Sequence, residues 1–167
     1  FFRFYNQEEF KSKTAHTALT SLFLSTLLFV VIGYVFMDPI AHLMDINADY
    51  LKWVVAVIAV DTLMVIPFAK IRAEGKPSIY ALLKMFNVIL SVGMTFLFFT
   101  ALPSVPAIAE ILPDDRIELF FIAFLAANLL TFALVSRIYF TRWQFDKVLW
   151  KKMLSYGWPI LLAGVAF

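Results

Sequence analysis

Apolar residues along this chain fall in long continuous runs, without the period-2 alternation that membrane barrel strands require, so a β-barrel is disfavoured. Four runs are long enough to cross a hydrocarbon core as helices, which takes about 20 apolar residues. The first extends from Thr14 to Met37 with no acid, Lys or Arg in it, and Asp38-Pro39 stops it. The second runs from Ala48 to Ala69, with Asp49 and Lys52 in its first turn and Asp61 midway. The third covers Pro77 to Leu102. The fourth starts at Ile117 and reaches about residue 138, introduced by Asp115-Arg116-Ile117-Glu118, an acid N-cap with a Glu at the third helical position.

Turn chemistry supports these borders. Gly75 followed by Pro77 reads as a helix-terminating glycine and a proline in the first turn of the next helix, which makes a tight helical hairpin. Pro103, Pro106 and Pro113 break the connector before the fourth run and leave at most a short helix around Ile108 to Leu112. The expected fold class is therefore all-α: a polytopic transmembrane helical bundle with four complete spans and a partial helix at each end.

Basic residues orient the bundle. Arg3, Lys11 and Lys13 precede the first span. Lys70, Arg72, Lys76 and Lys84 cluster around the hairpin, and Arg137, Arg142, Lys147, Lys151 and Lys152 follow the fourth span, so twelve of the chain's 14 basic residues lie on one side. The other side holds Lys52 and Arg116 among seven acids: Asp38, Asp45, Asp49, Glu110, Asp114, Asp115 and Glu118. By the positive-inside rule residues 1–13, 70–77 and 137–157 are expected to be cytoplasmic. Tyr34, Tyr50 and Trp53 at the outer ends, and Tyr80, Tyr139 and Trp143 at the inner ends, fit the aromatic belts of the two interfaces.

Composition agrees. Hydrophobic residues make up 62% and charged residues 16%, against norms of about 45–50% and about 25%. With a mean hydropathy of +0.85, there is too little polar surface to cover a soluble domain, and a disordered segment or a disulfide-rich secreted scaffold is excluded as well. The chain has no cysteine, hence no thiolate metal site or cysteine nucleophile, and His16 and His42 are expected on opposite faces. No glycine-rich phosphate loop or catalytic constellation is present. An enzyme, a cofactor, a metal site and a nucleic-acid partner are therefore not expected.

Phe1-Phe2-Arg3-Phe4-Tyr5 reads as the last turn of a helix, and Trp158 to Phe167 starts a fifth apolar run too short to span, so the expectation is an internal piece of a larger polytopic chain. Residues 1–141 then form one group of transmembrane helices. Residues 142–157 form an amphipathic linker helix on the cytoplasmic leaflet, and 158–167 begin the next membrane helix. On a wheel Lys152 falls among the apolar positions of that linker; a ligand-binding basic patch is the alternative reading of its lysines.

Polar side chains at membrane depth are functional candidates by default. Tyr80, Lys84, Asn87, Ser91 and Thr95 share one face of the third span, which is either a seam between helices or the wall of a hydrated cavity. Asp61 is a candidate ion-coupling acid or a protonated hydrogen-bond partner, six residues before a possible kink at Pro67. Thr14, Thr17, Ser21 and Ser25 on the first span, and Ala123, Ala127 and Thr131 on the fourth, read as packing faces, with Asn128 beside the latter.

The stretch Phe68-Ala69-Lys70-Ile71-Arg72-Ala73-Glu74-Gly75-Lys76-Pro77, running into Tyr80-Ala81-Leu82-Leu83-Lys84, resembles the fourth-to-fifth helix hairpin of polysaccharide-biosynthesis flippases in the multidrug/oligosaccharidyl-lipid/polysaccharide exporter superfamily. Leu154-Ser155-Tyr156-Gly157-Trp158-Pro159-Ile160-Leu161-Leu162-Ala163-Gly164 is similar to the entry to that family's seventh helix, and Phe1 to Tyr5 to the end of its second. The resemblance implies one lobe of a two-lobe transporter in the inner membrane, whose remaining helices lie elsewhere in the parent chain. It implies a lipid-linked oligosaccharide, carried on undecaprenyl diphosphate, as the substrate moved by alternating access. Arg3 and Lys84 match the family's cavity cations, with Asn87, Ser91 and Asn128 as further lining candidates, whereas Asp61 falls on no family motif. A drug or cation exporter of the same superfamily coupled through Asp61, and a polytopic membrane glycosyltransferase or polymerase, stand as alternatives.

Overall fold

The computed structural model describes residues 1–7, 11–104, 115–136 and 145–165. All regular elements among them are helical: α1 (Phe2–Tyr5), α2 (Lys11–Val35), α3 (Met37–Met44), α4 (Ala48–Ala73), α5 (Pro77–Phe96), α6 (Arg116–Val135) and α7 (Lys147–Val165). A π turn, Leu97–Ala101, and a 3-10 turn, Leu102–Ser104, continue α5. Four helices are long and apolar enough to cross a membrane, matching the four expected runs, so the chain is an all-α membrane protein. The expected short helix at Ile108 to Leu112, Arg142, Tyr139 and Trp143 lie outside the described residues.

Local chemistry sets the helix ends. At the hairpin, Gly75 has φ +72°, a left-handed conformation that suits a residue without Cβ. Its N–H donates to Arg72 O at 3.1 Å, and the Lys76 N–H donates to Ile71 O at 3.2 Å. This pair of bonds satisfies the last carbonyls of α4 and carries the helix one turn beyond Ala69. Asn47 caps α4 by accepting from the Asp49 N–H at 2.9 Å, and Asp115 caps α6 by accepting from the Ile117 N–H at 2.8 Å. The first span ends two residues earlier than expected, at Val35, and the chain turns at Phe36 straight into α3, whose first turn holds Asp38-Pro39. Proline is tolerated there because first-turn N–H groups have no intrahelical acceptor, and Asp38 complements the helix N-terminus.

Helix α4 is central, packed against α2 on one side and α6 on the other, while α5 reaches across to pack mainly on α6. The α4–α6 contact is built on small side chains. Ala123 and Ala127 are 0% exposed, and Leu119, Thr131 and Val135 extend the same buried face. Backbones approach closely where side chains are small, and dispersion between them replaces the absent hydrophobic drive in lipid. At the basic end Met64, Phe68 and Val135 form a cluster joined by Tyr80, Leu83 and Phe132. At the acidic end the Tyr50 hydroxyl donates to Asp115, and Trp53 Nε1 donates to Glu118 Oε1 at 2.8 Å. Because Tyr50 and Trp53 lie in the first two turns of α4, and Asp115 and Glu118 at the N-cap and first turn of α6, the two helices run parallel, as the alternating charge requires. The Tyr50 hydrogen bond, and then the Ile117 N–H, hold the Asp115 carboxyl below its usual range.

The Thr/Ser face of α2 receives α7. The Asp146 N–H donates to Thr17 Oγ1 at 3.2 Å, and Trp150 Nε1 donates to Ser21 Oγ at 2.9 Å. Asp146 Oδ1 caps α7 through the Val148 and Leu149 N–H groups at 3.0 and 3.1 Å, and Lys13 Nζ lies 3.7 Å from Oδ2. The Leu149 N–H contributes most to lowering the Asp146 pKa. Two expectations change here. The linker and the following apolar run are one helix, continuous past Gly157 and Trp158, with Pro159 inside it at the loss of one backbone bond. Lys152 also does not sit among apolar positions: Trp150, Met153, Leu154, Gly157 and Trp158 face α2, and Lys151, Lys152, Ser155 and Tyr156 face α1.

Helices α2 and α4 approach closely at Gly33, where an added Cβ would lie 3.0 Å from Val55 Cγ2; at Gly93, on α5, it would meet nothing within 4 Å. Gly33→Val should therefore lower the melting temperature of the full-length protein in detergent. Gly93→Ala should leave it unchanged or raise it, since Ala is favoured over Gly in a helix by about 1 kcal/mol. Equal responses at the two positions would contradict the packing described.

Candidate functional site

The polar stripe of α5 lies on its packed side. Tyr80, Lys84, Asn87, Ser91 and Thr95 are all half-buried, whereas Leu82, Met85, Phe86, Val88, Ile89, Val92 and Phe96 are exposed. Polar residues thus face helices and apolar residues face outward, the reverse of a soluble amphipathic helix and the arrangement suited to a lipid surround.

Midway along the stripe, Asn87 Nδ2 donates to Asn128 Oδ1 at 3.1 Å and to Thr131 Oγ1 at 2.9 Å, and Thr131 Oγ1 in turn donates to the Ala127 carbonyl at 3.0 Å. Asn128 is only 1% exposed, and its Nδ2 has no hydrogen-bond partner among the described residues. The next two members of the stripe satisfy themselves: Ser91 Oγ donates to Asn87 O at 2.9 Å and Thr95 Oγ1 to Ser91 O at 2.8 Å. Such back-bonding spares a hydroxyl any need for an interhelical partner.

Toward the basic end the stripe meets aromatic rings. Lys84 Nζ lies 4.8 Å from the centroid of the Phe68 ring, which stands edge-on to Tyr80 at 5.7 Å. The Arg72 guanidinium lies 5.3 Å from the ring centroids of both Tyr80 and Phe2. A ring face partly compensates a desolvated cation without neutralising it. None of the ion pairs among the described residues involves Lys84, Arg72 or Arg3. Glu74, at the end of α4, engages Lys76 at 3.0 Å and Lys70 at 3.8 Å, and the Tyr5 hydroxyl reaches it at 3.5 Å. The Lys76 hydrogen bond chiefly lowers the Glu74 pKa, and burial, followed by Glu74, raises that of Tyr5.

Of the residues singled out from sequence, the structure brings Asn87 and Asn128 into contact, with Ser91 one turn along and Lys84 one turn back. Arg3 lies apart from them, its guanidinium 4.8 Å from the Tyr156 ring centroid on α7. Asp61 joins none of these contacts; it lies on the exposed side of α4 with Ile58 and Val65. Among the described residues no three His, Cys, Asp or Glu converge as metal ligands. Phe68, Arg72 and Tyr80 as a cation–aromatic group, and Thr131 as the second acceptor for Asn87, were not singled out from sequence. The i, i+3 step from Asn128 to Thr131 is the one signal that could have shown the latter.

No family model, curated protein or solved structure matches the chain. The site is accordingly described by its own chemistry: a seam of amides and hydroxyls at membrane depth, ending in cations held against rings.

Asn87 and Asn128 should be energetically coupled. In a double-mutant cycle of Asn87→Ala and Asn128→Ala, measured by thermal unfolding of the full-length protein in detergent, the coupling should be about 0.6 kcal/mol and at most about 1.7 kcal/mol. Strict additivity would contradict the hydrogen bond.

Proposed function

We propose that this chain belongs to a membrane transporter that moves a lipid-linked oligosaccharide, carried on undecaprenyl diphosphate, from the cytoplasmic to the outer leaflet by alternating access, as the resemblance of the Phe68–Pro77 hairpin implies. The observation that carries the reading is Lys84: a cation inside a membrane-spanning helix, on the packed polar side, with an aromatic face and no described carboxylate as its partner. A charge so placed costs about 2.5–3.5 kcal/mol in an apolar surround and is retained where it meets an opposite charge during function. A diphosphate supplies that charge. In this reading Lys84 and Arg3 attract the diphosphate from the basic, cytoplasmic side of the inner membrane. Parting of α5 from α6 then presents Asn87, Ser91 and Asn128 to the sugar hydroxyls, the Asn128 Nδ2 having no hydrogen-bond partner among the described residues.

The remaining helices of the parent chain would complete the cavity. A cation exporter coupled through Asp61 is the second reading, favoured by an acid on the exposed side of α4 that enters no ion pair among the described residues.

In vesicles containing the full-length protein, Lys84→Gln should slow translocation of the lipid-linked oligosaccharide about tenfold or more, the loss of one charge-assisted contact of about 1.5–3 kcal/mol, while Lys84→Arg retains most of it. Unchanged rates with Lys84→Gln would contradict the reading, and a flux abolished by Asp61→Asn with Lys84→Gln silent would establish the second.

A further inference from the structure

A second basic site lies away from the α5–α6 seam. Arg3 and Phe4 of α1 meet Lys151, Lys152, Ser155 and Tyr156 of α7 around an open cleft of about 570 Å³. The cations come from segments nearly 150 residues apart in sequence, so their convergence is a product of the fold rather than of a local charge run. Each side of the cleft is held in place. Phe4 and Tyr5 are buried, and Phe1 packs with Met153 on the cluster of Ala18, Leu19 and Ile66. The opposite side of α7 is fastened to α2 by the bonds to Thr17 and Ser21.

Tyr156 joins the two walls. Its ring lies under the Arg3 guanidinium at 4.8 Å and edge-on to Phe4 at 6.1 Å. Stacking on a ring leaves the planar guanidinium its in-plane N–H donors for another ligand. Among the described residues the cleft is lined by three cations and two hydroxyls. None of the ion pairs among the described residues involves Arg3 or Lys151. Like charges gathered on a partly apolar wall raise the local potential and concentrate a small anion. Guanidinium, ammonium and hydroxyl donors together suit the several oxygens of a phosphate.

We propose that Arg3, Lys151 and Lys152, with the hydroxyls of Ser155 and Tyr156, bind a phosphate group at the basic end of the bundle, carried by an anionic lipid headgroup or by a soluble phosphate compound. Such a ligand would clamp α1 to α7 and so tie the two ends of the chain across α2. The site lies apart from the Lys84 seam, shares only Arg3 with the transport reading above, and holds whether or not the protein transports a lipid-linked sugar.

The test uses the full-length protein in mild detergent, with native mass spectrometry counting lipids retained from equimolar phosphatidylglycerol and phosphatidylcholine, and a parallel titration with inorganic pyrophosphate. The wild type should retain phosphatidylglycerol preferentially. Lys151→Gln and Lys152→Gln should each weaken that retention about fivefold, the effect of one basic residue at an anionic surface. Lys147→Gln, one turn away and outside the cleft, should not. Displacement of the lipid by pyrophosphate in the wild type assigns the contact to the phosphate of a headgroup. Pyrophosphate binding with the same dependence on Lys151 and Lys152, but without lipid preference, assigns it to a soluble phosphate. Absence of both preferences in the wild type overturns the proposal, as does an equal effect of Lys147→Gln. A melting curve for each variant separates a lost ligand from a lost fold.

Discussion

Close approach of α6 to α4 is the contact on which the other polar arrangements depend. In a lipid surround an unpaired polar side chain has no water to fall back on, so amides and hydroxyls must find partners on neighbouring helices or on their own backbone. Ala123 and Ala127 leave no side-chain bulk between the two helices. That places Asn128 and Thr131 where a third helix can reach them, and Asn87 of α5 does so. Larger residues at these two positions would separate α6 from α4 and move the acceptors that hold α5, which among the described residues has no buried residue of its own.

The two ends of the bundle meet the cost of charge differently. At the acidic end carboxylates are bound by hydrogen-bond donors of aromatic side chains, Tyr50 to Asp115 and Trp53 to Glu118. At the basic end cations lie on ring faces: Arg72 on Phe2 and Tyr80, Lys84 on Phe68, Arg3 on Tyr156. The first arrangement saturates the charges and binds α4 to α6. The second leaves the cations' hydrogen-bonding capacity largely unspent, which suits a surface that meets anions. The same residue class, an aromatic at a membrane interface, thus works as donor on one side and as acceptor face on the other.

Much of this was legible from sequence because it is local. Gly75-Lys76-Pro77 specifies the hairpin through backbone conformation alone, and Asp115 caps α6 through the next two peptide units. The hydroxyl stripe from Thr14 to Ser25 and the Ala123-Ala127-Thr131 row were readable as packing faces from spacing. Their partners were not, because helices that are apolar all round carry no single stripe pointing to a neighbour. Tyr80 to Thr95 could have faced a cavity; only the positions of Asn128 and Thr131 make it a seam. Likewise α3 was hidden because Asp38-Pro39 reads as a helix stop, whereas both residues also suit the first turn of a new helix. Lys152 looked misplaced on a wheel because its counterpart, Arg3, lies at the far end of the chain.

Position, rather than stability, tests the central claim most directly: that the amide face of α5 lies against α6 at membrane depth. The chain's lack of cysteine makes the measurement clean. Cysteines placed at Asn87 and Asn128 in the full-length protein, oxidised in native membranes with a membrane-permeant catalyst and read by mass spectrometry, should form a disulfide. A pair at Leu82 and Asn128 should not, because Leu82 faces outward. A disulfide from the Leu82 pair with none from the Asn87 pair would turn α5 around and contradict the account.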